Sequence, residues 1–437
     1  MALSAASKSS LTSASVKISG CAVTTGVKAR HTVAGAVLRF EHPADSVLSR
    51  HLRENRELGR ADRAFVAESV FGVLREKRLL DHLTGNGYPR ALLLAWLARV
   101  AKLNMREIEP LLNRGEANTV TLIKAGRTDD LPLAVRAELP DWVVEKLLQQ
   151  HTAAEVLALG RALTQPAPLD LRVNTLRAKR DGVLQTLSAE GIAATATPHA
   201  PHGLRLIGRP AINRHPLFLD GTLEVQDEGS QLLCALVAPS RHELTVDFCA
   251  GAGGKTLALG AMMHGKGRLY AFDTSQSRLK KLQPRLARSG LSNVHPVAIS
   301  NENDIRVKRL AGKAASVLVD APCSGLGTLR RNPDLKWRQS PESVIELTAK
   351  QATILRAAAA LVQPGGRLVY GTCSLIADEN EAIVEHFLSA NPAFNRVPCD
   401  EVLAKQGIAL RTGNYLRLAP HTQGTDGFFG AVLERAK

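Results

Sequence analysis

The stretch Asp247-Phe-Cys-Ala-Gly-Ala-Gly-Gly-Lys-Thr256 follows a short run of apolar and β-branched residues and precedes a predicted helix. Its glycines at 251, 253 and 254 allow a tight turn in which the backbone can approach a ligand closely. The helix start beyond them offers free N–H groups and a positive dipole end to a carboxylate or phosphate. The stretch therefore predicts the first strand, turn and helix of an α/β domain.

Downstream of this turn, β-branched runs alternate with helical segments. The predicted strands are residues 244–248, 268–272, 294–299, 316–319 and 367–372, and the intervening helices are residues 255–264, 275–289 and 341–361. A helix at 378–390 and a strand at 427–433 close the chain. Such alternation favours a parallel sheet, in which ligands bind outside the carboxyl ends of the strands.

The glycine turn admits several ligands. A P-loop would need glycine at Cys249, and the dinucleotide fingerprint would need glycine at Thr256, while a purely structural turn remains open. Asp273 follows about 20 positions later, where an acidic residue can hold the hydroxyls of a ribose, although a helix N-cap looks the same. Together these residues favour an adenosyl ligand. S-adenosylmethionine is a strong candidate beside NAD, because no pyrophosphate clamp is evident.

Two further strand ends carry cysteines, in Asp320-Ala-Pro-Cys-Ser-Gly-Leu-Gly327 and in Thr372-Cys373-Ser374. A cysteine at the mouth of a cleft, near Lys255 and helix N-termini, suits a nucleophile. A lone buried cysteine is usually inert, but two at strand ends around one crevice indicate a function.

Net charge, apolar content and cysteine content restrict the class of binding partner and the compartment. The formal charge of +15 and the pI near 9.8 point to an anionic partner, most commonly nucleic acid, or to a basic protein from an arginine-rich proteome. We expect no membrane association, because no apolar run approaches roughly 18 residues. Six cysteines without a C-x-x-C pair argue against a disulfide scaffold and a structural zinc site, and for a reducing compartment. We expect a monomer without a metal; its default location is the cytoplasm, and an organelle is the alternative.

Four segments are predicted along the chain. Residues 1–31 resemble a transit peptide in composition, or equally a flexible basic tail. Residues 32–164 read as helical, with segments at 44–54, 62–81, 89–100, 105–114 and 140–150 whose basic faces either contact RNA or are simply solvated. Residues 165–240 form a small α+β connector, and residues 241–437 form the α/β domain.

The strand-end motifs, together with Gln226-Asp-Glu-Gly-Ser-Gln231, resemble those of the RsmB-like (Sun/Nop) RNA cytosine-C5 methyltransferases. The resemblance implies a class I (Rossmann-like) S-adenosylmethionine methyltransferase domain. The helices at 32–164 resemble the NusB-like RNA-binding domain of such enzymes, and residues 169–222 occupy the place of their RRM-like connector.

The resemblance also implies roles for individual residues. Cys373 would attack carbon 6 of cytosine, Cys323 would assist release of the RNA, Asp320 would contact the ring nitrogen edge, and Lys255 would lie beside the same base. The implied cofactor contacts are Cys249, Ala250, Gly251, Ala252, Gly253, Gly254, Lys255, Asp273, Arg278, Asn301 and Asp320.

One departure from the family pattern lies after the third strand, which reads Ile299-Ser-Asn-Glu302 where an acidic residue is expected near the adenine. Asn301 could instead bind the adenine amino group through its carbonyl oxygen. Ribosomal RNA is the expected substrate. The alternatives are transfer RNA, a non-catalytic RNA-binding assembly factor of the same fold, and a DNA cytosine methyltransferase with the Pro-Cys cysteine as nucleophile.

Overall fold

The protein is described by a computed structural model that covers residues 33–128, 130–208 and 210–437. The residues 1–31 that the sequence predicts to be a tail lie outside the described residues. The chain divides into two compact units between Arg127 and Thr128.

The first unit is helical, as predicted. Its helices are α1 (Ala44–Glu54), α2 (Arg60–Arg75), α3 (Lys77–Thr84), α4 (Pro89–Ala95), α5 (Met105–Ile108) and α6 (Glu116–Ala125). A π-helical turn, Trp96–Val100, continues α4, and a 3-10 turn, Glu109–Leu111, continues α5. Fully buried leucines such as Leu80, Leu92 and Leu97 form the core. The single helix predicted at 62–81 is wrong, because the backbone leaves the helical region at Glu76 (φ −105°, ψ 19°) and a new helix begins.

The second unit begins with α7 (Leu133–Arg136), α8 (Asp141–Leu148) and α9 (Ala153–Thr164). Apolar residues of these helices share a buried cluster with Leu326, Leu329 and Ile376 of the later α/β region. The predicted end of the N-terminal domain at residue 164 stays a prediction.

A small antiparallel sheet follows. Its elements are β1 (Leu169–Val173), α10 (Arg180–Ala189), β2 (Ala194–Ala196), β3 (Gly203–Leu206), a 3-10 turn (Ile212–Arg214), α11 (Pro216–Leu219) and β4 (Leu223–Val225). Among the described residues its four strands lie in the order β2-β3-β1-β4. This α+β unit matches the predicted connector.

The large sheet lies in residues 244–435. Its elements, after α12 (Glu228–Val237), are β5 (Leu244–Asp247), α13 (Gly254–Met262), β6 (Arg268–Asp273), α14 (Gln276–Ser289), β7 (Val294–Ala298), α15 (Ile305–Lys308), β8 (Ala314–Asp320), a 3-10 turn (Leu326–Thr328), α16 (Leu335–Arg338), α17 (Pro341–Ala359), β9 (Val362–Thr372), a 3-10 turn (Ala377–Glu379), α18 (Glu381–Ala390), β10 (Phe394–Val397), α19 (Cys399–Ala404), β11 (Tyr415–Leu418) and β12 (Phe428–Arg435).

The strand order is that of a doubly wound sheet. Within the described residues the order is β10-β12-β9-β8-β5-β6-β7, and β11 also pairs with β12. Strands β5 to β9 run parallel, and β12 runs antiparallel to β9. The chain builds β5, β6 and β7 to one side and then returns to β8 on the other side of β5. A ligand crevice is expected at this switch point.

Strand β9 starts earlier than predicted. The sequence predicts a helix that ends at 361 and a strand that starts at 367, but the strand already begins at Val362 and includes Pro364. Pairing with β8 shifts register between Ala314 and Ser316, and this irregularity accommodates a proline that cannot donate to the ladder.

Within the described parts of the chain, no helix has the length and apolar character that crossing a membrane requires. The same parts contain no group of three or more His, Cys, Asp or Glu side chains arranged to hold a metal ion.

Candidate active site

The two predicted cysteines lie together. Strands β8 and β9 are parallel neighbours with Asp320 opposite Gly371, so the loops after them leave the same edge of the sheet. The Sγ atoms of Cys323 and Cys373 are 3.4 Å apart. Their hydrogen bond is the largest cause, followed by burial, of a Cys323 pKa well above the usual thiol value. Cys323 is therefore a neutral thiol beside Cys373.

A buried carboxylate joins the two cysteine loops. Glu379 is fully buried and accepts hydrogen bonds from the backbone N–H and hydroxyl of Ser324, at 2.8 and 2.5 Å. It also accepts from the hydroxyl of Ser374 at 2.5 Å and from Nε2 of Gln351 at 3.0 Å. Each serine directly follows one of the cysteines. Glu379 was not among the predicted site residues, although it lies only six positions after Cys373.

Lys255 and Asp320 form an ion pair beside the cysteines. The Nζ of Lys255, in the first turn of α13, lies 2.7 Å from Oδ2 of Asp320 at the end of β8. Burial is the largest single influence on Lys255 and opposes its charge. The charge and hydrogen bond of Asp320, together with the nearby Cys234 and Cys373 thiols, outweigh burial, and the pKa of Lys255 is raised above its ordinary value. The ammonium group therefore stays charged and fixes the Asp320 carboxylate.

The glycine turn has two kinds of glycine. Gly251 has φ +56° and faces open space, since a Cβ there would meet nothing within 4 Å. Gly253 has φ +82°, and a Cβ there would lie 2.2 Å from Leu282 Cδ1. Gly251 thus leaves room for a ligand, whereas Gly253 permits close packing of the turn on α14.

Asp273 organises this turn from the end of β6. One carboxylate oxygen accepts from the N–H of Gly251 at 2.8 Å, and the other accepts from the N–H of Ser275 at 2.7 Å. Arg278 lies 3.3 Å from the second oxygen. The first oxygen accepts only from Gly251, so Asp273 can still accept from a ribose hydroxyl.

These residues line one cavity of about 390 Å³. Its lining includes the predicted residues Cys249, Ala250, Gly251, Ala252, Gly254, Lys255, Asp273, Arg278, Asp320, Cys323 and Cys373. Apolar walls come from Phe248, Ile299 and Ile354. A volume in the range of small-molecule sites, apolar walls and a few polar groups fit an adenosyl cofactor.

Two predicted cofactor contacts, Gly253 and Asn301, are not among the lining residues. The Asn301 side-chain oxygen instead accepts from the N–H of Asn303 at 2.8 Å. Glu302 lines the cavity in its place. Glu302 was not a predicted contact, although its acidic side chain next to Asn301 was the available signal.

Asp247 lies fully buried behind the turn. Its Oδ2 accepts from the Thr256 hydroxyl at 2.6 Å, and its Oδ1 has no hydrogen-bond partner among the described residues. Burial, opposed by the Thr256 bond and reinforced by Asp320, raises the pKa of Asp247 to about 7.

Comparison with known proteins places this site in a family. A family profile described as "16S rRNA methyltransferase RsmB/F" matches residues 234–434, and a profile described as an RsmF/B-like ferredoxin-like domain matches residues 139–213. A probable ribosomal RNA small subunit methyltransferase B from Synechocystis is 33% identical, and the match covers 91% of this chain and 96% of the relative. The chain belongs to the RsmB/F methyltransferase family. S-adenosylmethionine is its methyl donor, and it acts on RNA.

Solved structures support the same fold. The crystal structure of PH0851 has a TM-score of 0.74 at 24% identity, covering 94% of this chain and 98% of that one. A methyltransferase homologue from Pyrococcus horikoshii has a TM-score of 0.60 at 26% identity, covering 69% of this chain and 97% of that one. The class I methyltransferase fold predicted from the sequence is confirmed.

Proposed function

We propose that this protein methylates carbon 5 of a cytosine in small-subunit ribosomal RNA, with Cys373 as the nucleophile. The observation that carries the proposal is the 3.4 Å approach of the Cys323 and Cys373 thiols at a cavity that also holds the Lys255–Asp320 pair. The name of the Synechocystis relative supports small-subunit ribosomal RNA as the substrate class.

Carbon 5 of cytosine is too weak a nucleophile to take a methyl group unaided. The thiolate of Cys373 adds to carbon 6, forming an S–C6 bond, and the electrons of the C5=C6 double bond move into the ring. S-adenosylmethionine, when bound, supplies an electrophilic methyl group. Carbon 5 of the adduct is then electron-rich enough to take that methyl group.

Asp320 stabilises the ring charge that develops on attack. Its carboxylate accepts a hydrogen bond from the nitrogen edge of the cytosine, where the ring takes up a proton from solvent during attack and returns it to solvent when the adduct breaks down. Lys255 holds this carboxylate in place at 2.7 Å. The ion pair is thus preorganised before the base arrives.

Cys323 assists breakdown of the adduct. The proton on carbon 5 leaves to solvent, its electrons restore the C5=C6 double bond, and the S–C6 electrons return to the sulfur of Cys373. The Cys323 thiol, kept neutral by its raised pKa, donates a hydrogen bond to that sulfur as it leaves. The target base must leave its stack to reach the cavity. A looped or single-stranded cytosine is therefore the favoured substrate, because it needs the least free energy to unstack.

The proposal is tested by incubating the protein with S-adenosylmethionine and separate preparations of unmodified small-subunit ribosomal RNA and transfer RNA. Nucleoside mass spectrometry should detect 5-methylcytidine in the ribosomal RNA alone. Product only in transfer RNA would overturn the substrate assignment. Absence of 5-methylcytidine from both would favour a non-catalytic RNA-binding factor.

A further inference from the structure

A second cavity of about 210 Å³ lies beside the cofactor cavity and shares none of its lining residues. Helix α13 contributes to both, with Gly254 and Lys255 at the first cavity and Ala258, Ala261 and Met262 at the second. Residues of β1 and of the loop before β3, including Arg172 and His202, complete its wall. No role in cofactor binding or methyl transfer uses this cavity.

Arg172 is a buried cation in this wall. The residue is only 6% exposed, and its Nε donates to Oε1 of Gln226 at 2.6 Å. Among the residues that the structure describes, no carboxylate lies within 4.0 Å of its guanidinium, and its two terminal nitrogens have no hydrogen-bond partner. These terminal nitrogens are therefore available to a ligand.

The nearest candidate counterion is already engaged. Glu224 faces Arg172 across the β1–β4 pairing. Its Oε2 accepts from Arg285 at 2.8 Å, and its Oε1 accepts from Arg288 at 2.6 Å. Arg285 and Arg288 thus share the single carboxylate of Glu224, and the nearby Arg172 adds a third positive charge without a carboxylate of its own. Burial is the largest cause of a lowered Arg172 pKa. A buried charge is costly unless it is paired, so the site favours an anion.

We propose that this cavity binds a backbone phosphate of the RNA strand, with the Arg172 guanidinium as its charged donor. The planar fork of arginine matches two phosphate oxygens. Thr175 and the exposed His202 lie at the cavity and provide polar groups near its opening, while Met262 and Ile408 leave an apolar wall for the attached sugar. That the phosphate belongs to RNA rests on the proposed function, whereas the anion site itself does not.

The first test uses thermal unfolding with inorganic phosphate as the probe. Phosphate should raise the Tm of the wild-type protein and of the control Arg161→Gln, which removes an exposed arginine outside the cavity. It should not raise the Tm of Arg172→Met. In phosphate-free buffer Arg172→Met should unfold at a temperature no lower than the wild type, because it removes an unpaired buried charge. A large drop in that Tm, with phosphate stabilisation intact, would overturn the site and leave Arg172 a structural residue.

A second variant tests the cavity without replacing a buried residue. His202→Glu changes an exposed residue of the cavity and places a carboxylate near Arg172, so it should abolish phosphate stabilisation in a folded protein. Unchanged phosphate stabilisation in this variant would contradict the proposal.

The second arm identifies the source of the phosphate by RNA binding without cofactor, measured across salt concentrations. Arg172→Met should reduce the slope of log K against log salt by about 0.7, the value for one phosphate of a single strand. A reduced slope supports the RNA phosphate, whether or not free phosphate also binds. An unchanged slope with lost phosphate stabilisation overturns the RNA assignment. Because neither arm measures methyl transfer, failure of the proposed methylation would leave both readouts interpretable.

Discussion

The thiols of Cys323 and Cys373 lie 3.4 Å apart although 50 positions separate them in the chain. Two parallel neighbouring strands bring them together, and Glu379 holds the loops that follow. This arrangement lets one sulfur bond the substrate while the other assists its release.

The first prediction concerns Glu379. Glu379→Gln keeps the size of the side chain but replaces one acceptor oxygen with an NH2 donor. This donor would face the serine and glutamine groups that now donate to Glu379. The cysteine loops should loosen, and a misplacement of about 1 Å can lower kcat by about 10²-fold. KM for S-adenosylmethionine should stay unchanged, because Glu379 does not line the cofactor cavity.

Steady-state kinetics with RNA and labelled cofactor check this split between kcat and KM. The matched control is Glu381→Gln, two positions after Glu379. The carboxylate of Glu381 accepts a hydrogen bond from Arg417 instead. A normal kcat in Glu379→Gln would show that the carboxylate does not position the thiols.

The second prediction concerns the cofactor side of the site. Glu302→Ala should weaken S-adenosylmethionine binding by about 10-fold, the loss expected for one hydrogen bond to a charged group. Asn301→Ala should bind normally, because the side chain of Asn301 is engaged with Asn303. Calorimetric titration measures both affinities. The opposite ranking would support the sequence-based assignment of Asn301.

The third prediction concerns pH. The pKa of Asp247 is raised from its ordinary 3.8 to about 7, so the folded protein binds the proton more tightly than the unfolded chain does. The contribution of this group to stability is complete below about pH 4 and is lost as pH rises through 7. Asp247→Asn is neutral throughout, and at pH 8 it should therefore be more stable than the wild type by on the order of a few kcal/mol.

Thermal unfolding from pH 5 to 8.5 checks this difference, which should grow with pH. Asp181→Asn, at a carboxylate whose side chain is 85% exposed, is the control and should show a constant difference. A difference for Asp247→Asn that does not vary with pH would contradict a neutral buried carboxyl.

The sequence was sufficient to predict those site residues whose placement depends on a local pattern. The glycine turn, Asp273 and both cysteines each follow a predicted strand, and parallel strands bring their carboxyl ends to one edge. Helices α13 and α14 were likewise evident from their periodicity.

Other features depend on tertiary contacts that periodicity does not encode. Asp304 accepts from the N–H of Ser300 at 2.9 Å and shapes the loop after β7, where Glu302 rather than Asn301 lines the cavity. Helices α7 to α9 have apolar faces in the sequence, but only packing reveals that Leu326 and Ile376 cover them. The partners of Glu379 come from three separate segments, so its role was visible only in the folded protein.

The central claim is that Cys373 bonds carbon 6 of cytosine and Cys323 assists its release. Cys373→Ala should lower methyl transfer by ~10³-fold or more, as removal of a covalent nucleophile does. The control Cys399→Ala, at a buried thiol outside the cavity, should remain active.

The most direct measurement is a denaturing gel of Cys323→Ala after incubation with RNA and S-adenosylmethionine. A slowly migrating protein–RNA adduct should accumulate in this variant and vanish in the double variant Cys323→Ala/Cys373→Ala. An adduct that persists without Cys373, or one that requires Cys323 instead, would contradict the account.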